Sequence, residues 1–250
     1  FALQWIAFIP AYVFQTEKFY DLMGSITYLS VMWFSLASTS EQFTALNGAN
    51  IAIVLLITLW ALRLGTFLFM RIHKDGEDKR FRSIKPSATQ FFMTWTLQGL
   101  WVSMCSMCAL TAISSETGVV MNALFYIGLG LFIYGFCIEI IADNQKSKFR
   151  SIPENKDKFI TTGLWAKSRH PNFFGEIVLW AGIAVMSFSS LHGLQYLTLI
   201  SPVFTYLLLV YVSGVRMLEA RADKKWGQDE EYVKYKSKTS VLMINYWGRA

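Results

Sequence analysis

Charge is scarce in this sequence. Only 16% of its 250 residues are Asp, Glu, Lys or Arg, while 54% are hydrophobic; a soluble domain carries about a quarter charged. The mean hydropathy of +0.36 agrees with that imbalance, and together they argue against an ordinary soluble domain. Cysteine is scarce too, with only Cys105, Cys108 and Cys137. The first two form a CxxC, but inside an apolar stretch and without a histidine or second cysteine pair beside them. That pair reads as helix packing rather than a redox or metal centre. The nucleotide motifs of soluble enzymes are absent: there is no GxGxxG between a strand and a helix and no GxxxxGK[ST]. Internal repeats and low-complexity linkers are absent as well. No basic stretch precedes the first apolar run, so no cleavable signal peptide is expected.

What is present is a series of long apolar runs. A membrane-crossing helix needs about 20 apolar residues, and the sequence predicts seven spans, near 1–15, 22–39, 49–72, 90–114, 119–142, 172–190 and 195–217. The net charge of +6 would suit nucleic acid, but its placement argues otherwise. One basic tract runs Arg71, Lys74, Lys79, Arg80, Arg82, Lys85. A second runs Lys146, Lys148, Arg150, Lys156, Lys158, Lys167, Arg169, and a third extends from Arg216 to Arg249. The connections around Glu41, Glu116 and His192 contain no Lys or Arg. Basic connections alternate with non-basic ones, as membrane topology demands and a soluble bundle does not. The expected fold is therefore an all-α integral membrane protein, a single bundle over 1–250. Its N-terminus lies outside, and cytoplasmic loops near 73–88 and 144–171 precede a cytoplasmic tail over 218–250. Nucleic acid is not an expected partner, the lipid bilayer is, and no obligate protein partner is evident.

Several charges lie inside or at the ends of these spans, where a charge costs a few kcal/mol or more and usually has a partner or a task. Arg63 lies in the third span. Glu139 and Asp143 close the fifth on one helix face, with Arg150 two turns further along. Glu176 opens the sixth, Arg216 and Glu219 close the seventh, and Glu17 lies between the first two. Structural ion pairs explain any one of them. A polar cavity opening to the cytosol explains the set, with arginines suited to phosphate oxygens and with acids and Asn172 suited to hydroxyls and amides.

The most informative segment is Ser168-Arg169-His170-Pro171-Asn172-Phe173-Phe174-Gly175-Glu176. It places a cation and an imidazole before a helix-starting proline, and a helix N-terminus attracts anions. Asn172 and Glu176 stand one turn apart and can face one ligand, while Gly175 between them permits close approach. A membrane-interface anchor followed by a helix start is the plainer reading of the same residues.

This segment, preceded by Gly163-Leu164-Trp165 and followed by Trp180, resembles the steroid 5-alpha-reductase family, and most closely its bacterial branch long carried as a domain of unknown function. Thr16-Glu17-Lys18-Phe19-Tyr20-Asp21, Trp60-x-x-Arg63-Leu64, Gly76-Glu77-Asp78-x-Arg80-Phe81 and Ala142-Asp143-x-Gln145-Lys146 extend the resemblance over nearly the whole chain. It implies a seven-span reductase in a bacterial inner membrane. NADPH would be the hydride donor, and the substrate a 3-oxo-4-ene steroid or similar apolar enone whose conjugated double bond is reduced. By motif, Arg63, Asp143, Arg150, Asn172, Glu176 and Arg216 fall on the family's residues at the cofactor, and Arg169 and His170 are expected there with them. Trp60 stands where the family has a tyrosine donor and is expected at the substrate. Hydride addition to the β-carbon develops negative charge on the carbonyl oxygen, so a donor there lowers the barrier. Glu17 resembles the family's acid for that role and is expected to be protonated in apolar surroundings, with Tyr20 as a substitute donor.

A second reading is a membrane methyltransferase of the isoprenylcysteine carboxyl type, which shares Arg-His-Pro before a span and binds S-adenosylmethionine. Its usual paired glutamates correspond here to Glu219-Ala220, and the Asp143–Arg150 segment matches reductases better. A transporter or scaffold is a third reading, with Arg63 and Glu176 as a relay, but no paired broken helices suggest it.

Overall fold

The computed structural model describes residues 1–42 and 47–246, and every regular element among them is helical. The helices are α1 (Ala2–Val13), α2 (Tyr20–Gln42), α3 (Gly48–Asp75), α4 (Ala88–Ile113), α5 (Ala123–Ser151), α6 (Pro171–Ser187), α7 (Ile200–Leu207), α8 (Val215–Trp226) and α9 (Glu230–Lys238). Part of the connection around Glu41, residues 43–46, and the end of the tail with Arg249 lie outside the described residues.

Local chemistry sets the helix ends. Asn47 caps α3 by accepting from Ala49 N–H at 2.8 Å, and Ser87, Asn122 and Asp229 cap α4, α5 and α9 in the same way. A side-chain oxygen there satisfies an amide that has no partner within the helix. Gly76 stops α3 at a φ of 83°, a left-handed conformation open to glycine.

The chain forms two compact units. The first comprises Phe1–Met121 with Ser187–Ser201, the second Asn122–Met186 with Pro202–Ala250. In the first, α1 and α4 pack through aromatic rings: Phe91 and Trp95 are fully buried with Ala7 and Ala11, and Phe8, Phe19 and Tyr20 close over them. Polar stitches hold its other end. The Asn50 side chain accepts from Val119 N–H at 2.8 Å and donates to Ile113 O at 3.3 Å, which ties the start of α3 to the turn after α4.

In the second unit, α5 and α6 meet backbone to backbone. A Cβ at Gly175 would stand 2.5 Å from the Gly135 carbonyl oxygen and 2.8 Å from Glu139 N; one at Gly182 would stand 2.6 Å from the Gly128 carbonyl oxygen. The glycines recur every seven residues on both helices, so two contacts two turns apart fix their register. Small residues permitting this approach are typical of helix pairs in lipid, where packing rather than water exclusion drives association.

Five helical stretches are long and apolar enough to cross a membrane: Gly48–Asp75, Ala88–Ile113, Ala123–Ser151, Pro171–Ser190 and Gly193–Trp226. They account for five of the seven expected spans and make this a multi-pass membrane chain. The helix α1 has 12 residues and so measures about 18 Å, short of a bilayer's hydrocarbon core of about 30 Å. Two expected boundaries differ. The helix α5 continues past 142 to Ser151, because its last turns carry polar residues that project beyond an apolar span. The last span is not one regular α-helix: a 3-10 segment leads into α7, a π-helical turn covers Leu208–Val212, and Gly214 precedes α8. A Cβ at Gly214 would overlap the Leu209 carbonyl oxygen, so glycine is what allows the chain to turn there.

Gly135→Val or Gly175→Ala is expected to lower the thermal midpoint in detergent by several degrees, corresponding to an overpacking cost of about 1–3 kcal/mol. Gly130→Ala, whose Cβ meets nothing within 4 Å, should leave it unchanged or raise it slightly.

Candidate functional site

The second unit contains the densest set of candidate residues. After its apolar first half, α5 bears Glu139, Asp143, Lys146 and Arg150, at intervals of four, three and four residues, which keeps them on one stripe. Glu139 and Asp143 are buried at 2% and 6% exposure, whereas Arg150 is exposed. The stripe rises about 16 Å along the axis. The segment Gly163–Ala166 folds against this end of α5. Trp165 Nε1 donates to Ala142 O at 3.0 Å, Leu164 N–H donates to Gln145 Oε1 at 2.9 Å, and Lys146 Nζ stands 4.3 Å over the Trp165 ring. Gly163, at a φ of 65°, lies so close to the Gln145 amide that a Cβ would overlap it.

The next residues turn into α6. His170 Nε2 lies 2.8 Å from Glu219 Oε1. A carboxylate only accepts, so Nε2 carries a proton and, in the neutral ring, Nδ1 presents a lone pair. That Nδ1 is buried and has no hydrogen-bond partner among the described residues, which leaves an acceptor inside the unit. Burial pushes the His170 pKa below the usual imidazole range, against the opposing pull of Glu219. The ring also lies parallel to Phe173, 7° from coplanar at 5.8 Å. On α6, Asn172 is half-buried and Glu176 is buried one turn later.

Arg169 is bound differently from a side chain open to phosphate. Its guanidinium contacts Glu219 Oε2 at 2.9 Å and donates to the carbonyls of Lys236 at 2.6 Å and Thr239 at 3.2 Å. It thereby clamps α9 and the chain after it to the start of α6. Tyr235 Oη strengthens the clamp with a 2.6 Å hydrogen bond to Trp165 O. Arg216 is exposed in the first turn of α8.

The remaining candidates belong to the first unit. Glu17 is buried, as expected, but its surroundings are ionic rather than apolar. One carboxyl oxygen accepts from Asp78 N–H at 2.9 Å and the other from Lys85 Nζ at 2.5 Å. Both oxygens act as acceptors, and the expectation of apolar surroundings is corrected: Lys85, 68 residues away, places a cation against the carboxyl group. Tyr20 Oη donates to Thr94 O at 3.0 Å, and its ring packs edge-on against Phe81 and Trp95. Trp60 is buried and meets the Tyr28 ring at 5.1 Å and 90°. Arg63 lies 5.2 Å over the Phe67 ring one turn further along α3.

The structure thus joins Arg169 and His170 directly through Glu219, aligns Asp143 with Arg150 on α5, and sets Asn172 and Glu176 one turn apart on α6. Glu17, Tyr20, Trp60 and Arg63 belong to a different unit. Three partners carried no local signal: Lys85 for Glu17, Tyr28 for Trp60 and Glu219 for His170. Each lies 32 or more residues away in the chain, and only an unexplained charge at the end of a span pointed to Glu219.

The family described as "Protein of unknown function (DUF1295)" matches residues 7–239. A curated relative, the "Probable O-methyltransferase ustE" of Ustilaginoidea virens, is 30% identical over 116 residues, covering 40% of this chain and 41% of that protein. The match therefore spans about two fifths of the relative's length. No solved structure matches the chain.

Two outcomes test these placements. Glu17→Gln should destabilise the protein by about 1–3 kcal/mol by leaving the half-buried Lys85 without its counter-charge, and Glu17→Gln with Lys85→Met should recover much of the loss in melting experiments. If the pair is structural, the double variant melts above the single one; equal melting would rule that out. The lowered His170 pKa gives the second. Below about pH 6.5 the unfolded chain takes up this proton before the folded one, so the stability present above that pH is lost as pH falls toward the lowered folded value. His170→Gln should flatten that part of the stability profile between pH 7.5 and 5.

Proposed function

The chain belongs to the DUF1295 family, which is described as of unknown function, and from that premise we propose that it is an NADPH-dependent membrane reductase. Its substrate would be a 3-oxo-4-ene steroid or a similar apolar enone lipid, reduced at its conjugated carbon–carbon double bond. The observation that carries this reading is the polar stripe of α5, where the buried Glu139 and Asp143 give way to Lys146 and the exposed Arg150. Carboxylates at the inner end of a polar stripe can accept from hydroxyl and amide donors, and the cations beyond them suit phosphates. A dinucleotide carries both along one extended molecule.

The residues of the second unit fit such a cofactor. The buried lone pair on His170 Nδ1 suits an amide or hydroxyl donor. Asp143, Asn172 and Glu176 would hold hydroxyls and the carboxamide, while Arg150 and Arg216 would meet phosphates. Bound there, NADPH would supply the hydride. Arg169 acts as the clamp that keeps the Arg-His-Pro turn in place, and Glu219 orients the imidazole. In the first unit, Trp60 with Tyr28 shapes an apolar wall suited to a substrate. Glu17 and Tyr20 are proposed to position the turn into α2 against the 76–87 loop and α4, since each is already bonded to those segments. We also propose that α1 and α2 complete a seven-span topology. The basic connections after α3, after α5 and after α8 then lie on the cytoplasmic side and the N-terminus outside.

A methyltransferase using S-adenosylmethionine is the second reading. The printed name of the fungal relative favours it, and buried acids also suit a sulfonium cation. The basic residues beyond the acids favour the reductase, because S-adenosylmethionine carries no phosphate.

Melting of the detergent-purified protein with NADPH, NADH or S-adenosylmethionine separates the two. A rise with NADPH is expected; a rise with S-adenosylmethionine alone would overturn the reductase. Arg150→Ala and Asn172→Ala should each weaken NADPH binding about 10-fold or more, the scale of one lost hydrogen bond to a charged partner, while the melting of the unliganded protein stays near wild type.

A further inference from the structure

Residues 240–246, beyond α9, are held against the rest of the second unit. Arg169 N–H donates to Ser240 O at 2.9 Å, Ser168 Oγ to Leu242 O at 2.8 Å, and Asn245 N–H to Lys167 O at 3.1 Å. Residues 240–245 are thus laid alongside 167–169. Their side chains alternate: Leu242 and Ile244 turn inward, whereas Val241 and Met243 are 41% and 67% exposed. The chain then reaches Tyr246, whose hydroxyl lies 2.7 Å from that of Tyr134 on α5, with Lys167 Nζ 5.1 Å over its ring.

The position of Tyr134 is what matters. It precedes Gly135, which packs on Gly175 inside α6, and it stands five residues, about 7.5 Å, further into the span than Glu139. Its exposed neighbours on α5 are Ile133 and Tyr126 with Ile127, side chains that face lipid if α5 crosses a bilayer. Tyr246 adjoins that lipid-facing surface, and Met243 and Val241 continue it outward past Lys167. An apolar edge ending in tyrosines and a lysine has the composition of the bilayer–water boundary, where aromatic rings and basic side chains settle.

We propose that residues 240–246 form a membrane-interface anchor: the chain turns back after α9 and seats Val241, Met243 and Tyr246 in the acyl–headgroup boundary of the bilayer. The partner is the phospholipid surface. The anchor would hold the outer end of the Arg169 clamp, so that lipid contact helps fix the Arg-His-Pro turn. This inference rests on the membrane character of the chain and is independent of the reaction.

The test uses the full chain with Cys137→Ala, carrying Met243→Cys or Val241→Cys labelled with an environment-sensitive nitrobenzoxadiazole dye. Val233→Cys on α9, exposed beside Glu230 and Lys234, serves as the aqueous control. The proteins are placed at one copy per phosphatidylcholine–phosphatidylglycerol nanodisc. The dye at 243 and at 241 should emit to the blue of the dye at 233. Lipids bearing a spin label high on the acyl chain should quench it by about twofold or more, and leave 233 untouched. Emission at both positions equal to that at 233, with no quenching, would overturn the anchor. A blue shift that lipid spin labels do not quench, and that appears only with two copies per disc, would also overturn it by assigning the surface to a second copy of the chain.

Discussion

The close approach of α5 and α6 is the constraint on which the second unit depends. At Gly128–Gly182 and Gly135–Gly175 the two backbones touch with no side chain between them. Two contacts along a helix pair fix both rotation and sliding, because moving either helix by one residue would bring a side chain against a carbonyl oxygen. That register places Glu176 immediately after Gly175 and Glu139 one turn after Gly135, both beside the same contact. The buried acids therefore owe their position to residues with no side chains of their own.

Burying charge in an apolar helix bundle requires compensation, and the two units provide it differently. In the first, Glu17 is neutralised by Lys85 and accepts from an amide, both in the 76–87 loop, a closed arrangement that ties that loop to the turn before α2. In the second, Glu219 receives Arg169 and His170, while the imidazole Nδ1 has no hydrogen-bond partner among the described residues. A satisfied pair holds structure, while an orphaned acceptor inside the protein is a place where a ligand's donor gains most.

The Arg-His-Pro turn also illustrates how one arginine can be mistaken for another. Arg169 and Arg150 look alike as cations before and after a connection. Folding commits the guanidinium of Arg169 to two carbonyls of the returning chain and to Glu219, and leaves Arg150 exposed. The clamp also brings residues 240–246 back against the start of α6, so Tyr246 lies beside Tyr134 of α5.

Much of this was legible from order alone. The apolar runs gave the long helices of the membrane, and the spacing of Asp143 with Arg150 and of Asn172 with Glu176 placed each pair on one helix face. These are local properties, and helical periodicity converts them directly into geometry. The irregular last span was not legible, because a π-helical turn and a break at Gly214 leave the hydropathy of 195–217 unchanged. Nor were the partners of the buried charges. Lys85 lies 68 residues from Glu17, and Glu219 lies 49 from His170. Sequence determines which charges exist and which helix carries them; only the packing of distant helices decides whether a buried acid is a closed ion pair or an open site, since neutralisation requires contact and contact between distant residues is a property of the fold.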